Sequence, residues 1–158
     1  MTDVEDTYER ILRKLDRVVT VMESMHMPAN SFGTGVSMYR SEIHTIQAIG
    51  KNPGINVTTL AEYFGVTKSA VSQTITKLTR KGLARKTYAP GNAKEVILEL
   101  TDLGLIGYQN HEKFHLAALT IAREKFGDRF EEKFEAIEAV MTDLNAIVDE
   151  YENRLKKD

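Results

Sequence analysis

Between Thr67 and Gly82 the chain carries Lys68, Ser69, Ser72, Gln73, Thr76, Lys77 and Arg80, short hydroxyls and an amide among cations, and the run contains no acid. Hydroxyls and a Gln amide can donate to and accept from base edges, while Lys and Arg neutralise phosphates. An ordinary solvated helix face mixes Glu with its Lys. A face without acids suits a polyanion, and this mixture suits a nucleic-acid duplex.

Those side chains share a face only if the run is helical, and the apolar spacing says that it is. Leu60, Ala61 and Phe64 form one stripe, Val66, Val71, Ile75 and Leu78 a second, with Gly65 between them. Two short helices sharing a small core across a glycine turn are the expectation for Thr59 to Gly82. Asn56 and Thr67 stand where the N-caps of those helices are needed.

After Gly82 the period becomes two. Leu83, Arg85, Thr87 and then Val96, Leu98, Leu100 flank Ala89 to Ala93, which reads as a β-hairpin with a long tip. Arg85 and Lys86 on the incoming strand, with Asn92 and Lys94 at the tip, would sit beside the second helix as a wing over the adjacent minor groove. Thr101 and Asp102 cap a helix that runs to about Phe126, where Gly127 breaks it.

Both ends of the chain carry long amphipathic patterns. Tyr8, Ile11, Leu15, Val18, Met22 and Met25 line one helix ended by Pro28, and a second helix around Glu42 to Ile49 follows. Phe130, Phe134, Ile137, Met141, Leu144, Val148, Tyr151 and Leu155 repeat in steps of four and three along the last helix. Stripes this regular, remote from the basic middle, predict that the terminal helices of two subunits pack together. The expected organisation is an N-terminal dimerisation helix and loop over 1–38, a winged helix-turn-helix over 39–104 and dimerisation helices over 105–158. The fold class is mainly α with a small β-wing.

Composition agrees. The net charge of the 158 residues is −2, but residues 51–100 hold 8 Lys and Arg against 3 Asp and Glu, while both flanks are acidic. Phosphate attraction is thereby concentrated on the middle of the chain. No run approaches the ~20 apolar residues of a membrane span and the N-terminus is acidic, so a cytoplasmic location without membrane contact is expected. The absence of cysteine removes thiolate metal sites and thiol sensing. No nucleophile elbow and no phosphate-cradling Gly-rich loop is present, which argues against an enzyme.

The order helix, helix, helix-turn-helix, wing, two long helices, with Leu-Thr-Asp-Leu-Gly (Leu100 to Gly104) straight after the second wing strand, resembles the MarR family of transcription regulators. The resemblance implies a homodimer straddling a pseudo-palindromic site on double-stranded DNA, the helix from Lys68 to Lys81 in the major groove and the wing in the minor. It also implies a regulator, as a repressor responsive to a ligand or metal. A winged-helix module that pairs proteins without reading sequence is the alternative. The family's Asp-x-Arg at the wing is Asn92 and Lys94 here, which implies weaker reading of minor-groove shape.

Two effector chemistries fit the residues. His111 and His115 are one helical turn apart, a spacing zinc or another divalent metal can use. With His26 and His44 they are similar in position to ligands of the family's zinc-responsive branch, although Asn110 stands where a carboxylate is expected. The other chemistry is a small aromatic effector in a crevice near Met22, Met25, Phe32 and Tyr39, where methionines offer an adaptable surface.

Overall fold

A computed structural model describes residues 3–25, 31–89 and 91–156. The elements are α1 (Asp3–Met25), α2 (Arg40–Lys51), α3 (Val57–Phe64), α4 (Lys68–Arg80), β1 (Ala84–Ala89), β2 (Asn92–Leu100), α5 (Asp102–Phe126), a 3₁₀ turn (Gly127–Arg129) and α6 (Phe130–Leu155). The chain divides into two compact units, Met1–Lys113 and Phe114–Asp158, the division falling within α5. No helix among the described residues is long and apolar enough to cross a membrane.

In the first unit a core of buried residues joins α2, α3, α4 and the base of the hairpin, with Ile43, Ile46, Leu60, Ile75, Leu78, Leu83 and Leu98 among its fully enclosed members. The local signals act as expected. Asn56 Oδ1 accepts from the Thr59 backbone N–H at 3.0 Å, and Thr67 Oγ1 from that of Ala70 at 3.2 Å, so both helix starts are capped. Gly65 takes φ 63°, where a side chain would be strained, and its N–H closes the end of α3.

Several positions differ from expectation. Val66 is 48 % exposed because it stands in the turn itself, outside the stripe that Val71, Ile75 and Leu78 bury. Strands β1 and β2 pair antiparallel as far as Ala89 and Asn92, so the tip is shorter than the sequence suggests and Lys94 belongs to a strand. Ile97 and Leu98 are both buried while Val96 is not, which breaks the simple alternation. Beside it, the Leu98 N–H donates to the Ile55 carbonyl at 2.8 Å, drawing that segment against the wing's base.

α2 is also tied to the first half of α5. Gln47 Nε2 donates to Glu112 Oε1 at 2.6 Å, and a Cβ on Gly50 would sit 2.8 Å from the Tyr108 ring, so only glycine permits this approach. In the second unit Phe130 is buried against Phe134 and the Arg123 guanidinium, and Phe134 in turn meets Phe126. Arg129 donates to both carboxylate oxygens of Glu132, which holds that carboxyl below its usual range. Beyond Phe130 the α6 stripe is largely exposed in the single chain, including Ile137, Met141, Val148 and Tyr151, as are Tyr8, Ile11 and Val18 of α1.

Candidate nucleic-acid interface

Val71, Ile75 and Leu78 of α4 are buried, and the spacing of a helix therefore turns Ser69, Gln73, Thr76, Lys77 and Arg80 outward, with Ser72 half-buried between them. With Ser72, these residues line a hollow of about 350 Å³ along the helix. A second hollow, of about 520 Å³, lies between α4 and β1 and is lined by Thr76, Thr79, Arg80, Arg85 and Lys86. Thr76 and Arg80 belong to both. Lys68 opens α4, exposed in its first turn. The side chains of Asn92 and Lys94 lie outside the described residues.

Two contacts that sequence reasoning missed hold this surface in place. At the C-terminal end of α4, Lys81 Nζ donates to Glu42 Oε2 at 2.6 Å and to the Ser37 carbonyl at 2.9 Å. The Glu42 side chain is only 2 % exposed, and the same Oε2 accepts from the Tyr39 N–H at 2.8 Å, so one carboxylate oxygen caps α2 and anchors α4. At the other junction Thr101 Oγ1 donates to the Gly82 carbonyl at 2.6 Å and accepts from the Gly104 N–H at 3.0 Å. The Thr101 N–H in turn reaches the Leu83 carbonyl at 3.2 Å. Leu-Thr-Asp-Leu-Gly is thus the joint that fixes the end of α4, the base of the wing and the start of α5 to one another. A Glu three residues after the α2 N-cap was a legible sign of half of the first contact; nothing local signals Lys81.

One predicted cation has a partner of its own. Arg85 faces Glu99 across the ladder and donates to its Oε2 from Nε at 3.0 Å and Nη2 at 2.8 Å. Among the described residues, Arg80 and Lys86 are the cations of the second hollow's wall without an ion-pair partner, with Arg85 held by Glu99.

Residues 38–95, which contain this surface, match the family model described as MarR family. Over these residues the chain is similar to MarR-family regulators. The chain is 36 % identical over 86 residues, 54 % of its length and 49 % of the relative's, to the uncharacterized HTH-type transcriptional regulator YhjH of Bacillus subtilis strain 168. The match spans about half the length of the curated relatives. Among solved structures, FabT of Streptococcus pneumoniae in complex with DNA has the same fold, at TM-score 0.74 and 23 % identity over 90 % of this chain and 98 % of that one. ZitR of Lactococcus lactis, described as a zinc-responsive MarR family member, superimposes at TM-score 0.63 and 18 % identity, covering 87 % and 97 % of the two chains.

The structure places the histidines differently from one another. His111 is fully buried, its ring 5.6 Å from that of His44 and 5.2 Å from that of Phe32. His115 lies one turn further along α5, in the second unit, its ring against Phe114. His26 lies outside the described residues. Among the described residues no three His, Asp or Glu side chains are grouped closely enough to hold a metal ion.

The aromatic residues expected at an effector pocket are separated. Phe32 packs against the core and Tyr39 is exposed, its ring centroid 5.5 Å from Lys81 Nζ; the side chains of Met22 and Met25 lie outside the described residues. A mainly apolar crevice of about 290 Å³ lies elsewhere in the first unit, between His44 and Thr45 of α2, Phe64 and Val66 at the turn, and Val71 and Thr74 of α4. Val66, exposed in the turn, forms part of its wall.

Proposed function

We propose that this protein is a sequence-specific DNA-binding transcription regulator that acts as a homodimer, most simply as a repressor, with α4 reading the major groove. The observation that carries the reading is the outward face of α4: hydroxyls, an amide and cations without an acid, continuous with a basic hollow against the wing. FabT, of the same fold, is known in complex with DNA. The face proposed to meet DNA comprises Lys68, Ser69, Ser72, Gln73, Thr76, Lys77 and Arg80, with Arg85, Lys86, Asn92 and Lys94 on the wing.

Retardation of labelled duplexes tests this. Log affinity should fall linearly with log salt, by about 0.9 per phosphate neutralised. Gln73→Ala should cost about 1–3 kcal/mol at one base position and relax preference there, because a Gln amide pairs with adenine in bidentate fashion. An equal loss on selected and random duplexes would remove Gln73 from the readout. Binding no tighter to any genomic fragment than to random DNA would instead favour the protein-pairing module.

The exposed stripes of α1 and α6 support the homodimer, since solvated apolar runs of this length mark contact surfaces. Changing Met141 and Val148 together to Glu should halve the mass in solution. Operator affinity should then fall by roughly a hundredfold or more, as two linked half-sites become independent. Unchanged mass in the double variant would place the interface elsewhere.

For the effector, the crevice against the inner side of α4 favours a small, largely apolar molecule, because an occupant there would touch Val71 and Thr74 and so bear on the reading helix. Zinc is less well served. His44 and His111 are near enough to be two ligands of one ion, but a protein zinc site takes three or four and the described residues group no third.

A further inference from the structure

Among the described residues, the outward face of α4 contains one side chain whose hydroxyl proton is already engaged. Thr76 is exposed and is shared by the two hollows, so it stands at the centre of the surface, one turn beyond Gln73 and Ser72. Its Oγ1 donates to the Ser72 carbonyl at 2.8 Å, back along its own helix. Thr74 makes the same kind of bond to Ala70 at 3.2 Å, but it is half-buried and lines the crevice against α2. A hydroxyl bonded to the carbonyl four residues earlier has given its only proton to the backbone. To donate to a base edge it would have to break that bond. What Thr76 adds to a groove surface, and a serine would not, is its methyl group.

The major groove offers one matching apolar feature, the C5 methyl of thymine. We infer that Thr76 reads a thymine by methyl-to-methyl contact, its hydroxyl serving the helix and not the base. The inference rests on the DNA-reading function proposed above. It adds a base identity, so the selected duplexes should contain a thymine at the position facing Thr76, next to the base that Gln73 reads.

The test uses the full chain and the duplex it selects from a random pool. Each thymidine of that duplex is replaced singly by deoxyuridine, which removes the methyl and leaves every hydrogen-bonding group in place. The wild-type protein should lose roughly three- to fivefold in affinity at the thymine facing Thr76, the amount expected for one buried methyl. Thr76→Ser, which keeps the hydroxyl, should show that loss on the thymidine duplex and become indifferent to deoxyuridine there. Thr76→Val, which keeps the methyl, should retain the deoxyuridine sensitivity at that position. Both variants change an exposed position, and thermal melting verifies that they fold.

The opposite pattern, with Thr76→Val losing affinity and Thr76→Ser keeping it, would overturn the inference and assign the reading to the hydroxyl. So would a deoxyuridine penalty identical in wild type and Thr76→Ser at every position. In both cases a duplex has still been selected, so DNA reading itself survives. If no sequence is enriched over random DNA, both fail together.

Discussion

Gly104→Ala should lower stability by about 3 kcal/mol, although alanine ordinarily favours a helix over glycine by up to ~1 kcal/mol. The reason is a close approach: a Cβ at position 104 would lie 1.9 Å from the Leu83 carbonyl oxygen and 2.9 Å from its carbon. That carbonyl cannot move aside freely, since it accepts from the Thr101 N–H at 3.2 Å while Thr101 Oγ1 holds Gly82. For a chain of this size the loss corresponds to a fall in Tm of roughly 6–12 °C. Relief of the clash would shift the wing's base relative to α4, so DNA affinity should drop even at temperatures where the variant is folded. Melting followed by circular dichroism, with retardation at low temperature, measures both. A variant more stable than wild type would show that helix propensity outweighs the contact and that the joint is looser than its geometry.

Lys81→Met should cost about 3 kcal/mol. Removing one partner of a buried ion pair strands the other, and such losses run at about 3–5 kcal/mol; the lower end applies because the Lys81 side chain is 27 % exposed. Glu42 would be left 2 % exposed with no cation, and its second oxygen, Oε1, already lacks a hydrogen-bond partner among the described residues. Adding Glu42→Leu should recover most of the loss, leaving about 1 kcal/mol for the missing cap on the Tyr39 N–H. In DNA binding the single variant should lose affinity for the selected duplex more than for random DNA, with an unchanged salt slope. Lys81 holds the end of α4 in register and contributes to neither hollow. A slope reduced by about one would mean that Lys81 meets a phosphate instead.

These two contacts show where sequence reading stopped. The caps at Asn56 and Thr67, the glycine turn, the acid-free face of α4, the start of α5 at Thr101 and its end near Phe126 are all legible, because each depends on residues within one or two turns. The same local logic failed at Val66 and at Ile97. Their burial depends on three-dimensional surroundings: Val66 lines an open crevice, and Ile97 is enclosed although the strand's alternation sets it opposite Leu98. Phe32 and Tyr39, near each other in sequence, differ for a related reason, since packing sets Phe32 half-buried against the core and leaves Tyr39 exposed.

The sequence by itself determined a basic helix-turn-helix with a wing between two long apolar-striped arms, since periodicity, caps and charge pattern are properties of neighbouring residues. Only the tertiary structure decided how that surface is held and which of its groups are committed. Glu42 and Lys81 are 39 residues apart, Arg85 and Glu99 14. Pairing at such distances follows from the docking of whole elements, which leaves no mark in the spacing of either partner. The engagement of Thr76 by Ser72 is different: its spacing is visible in the sequence, but a helical threonine can choose other rotamers, and only the fold shows which one it takes.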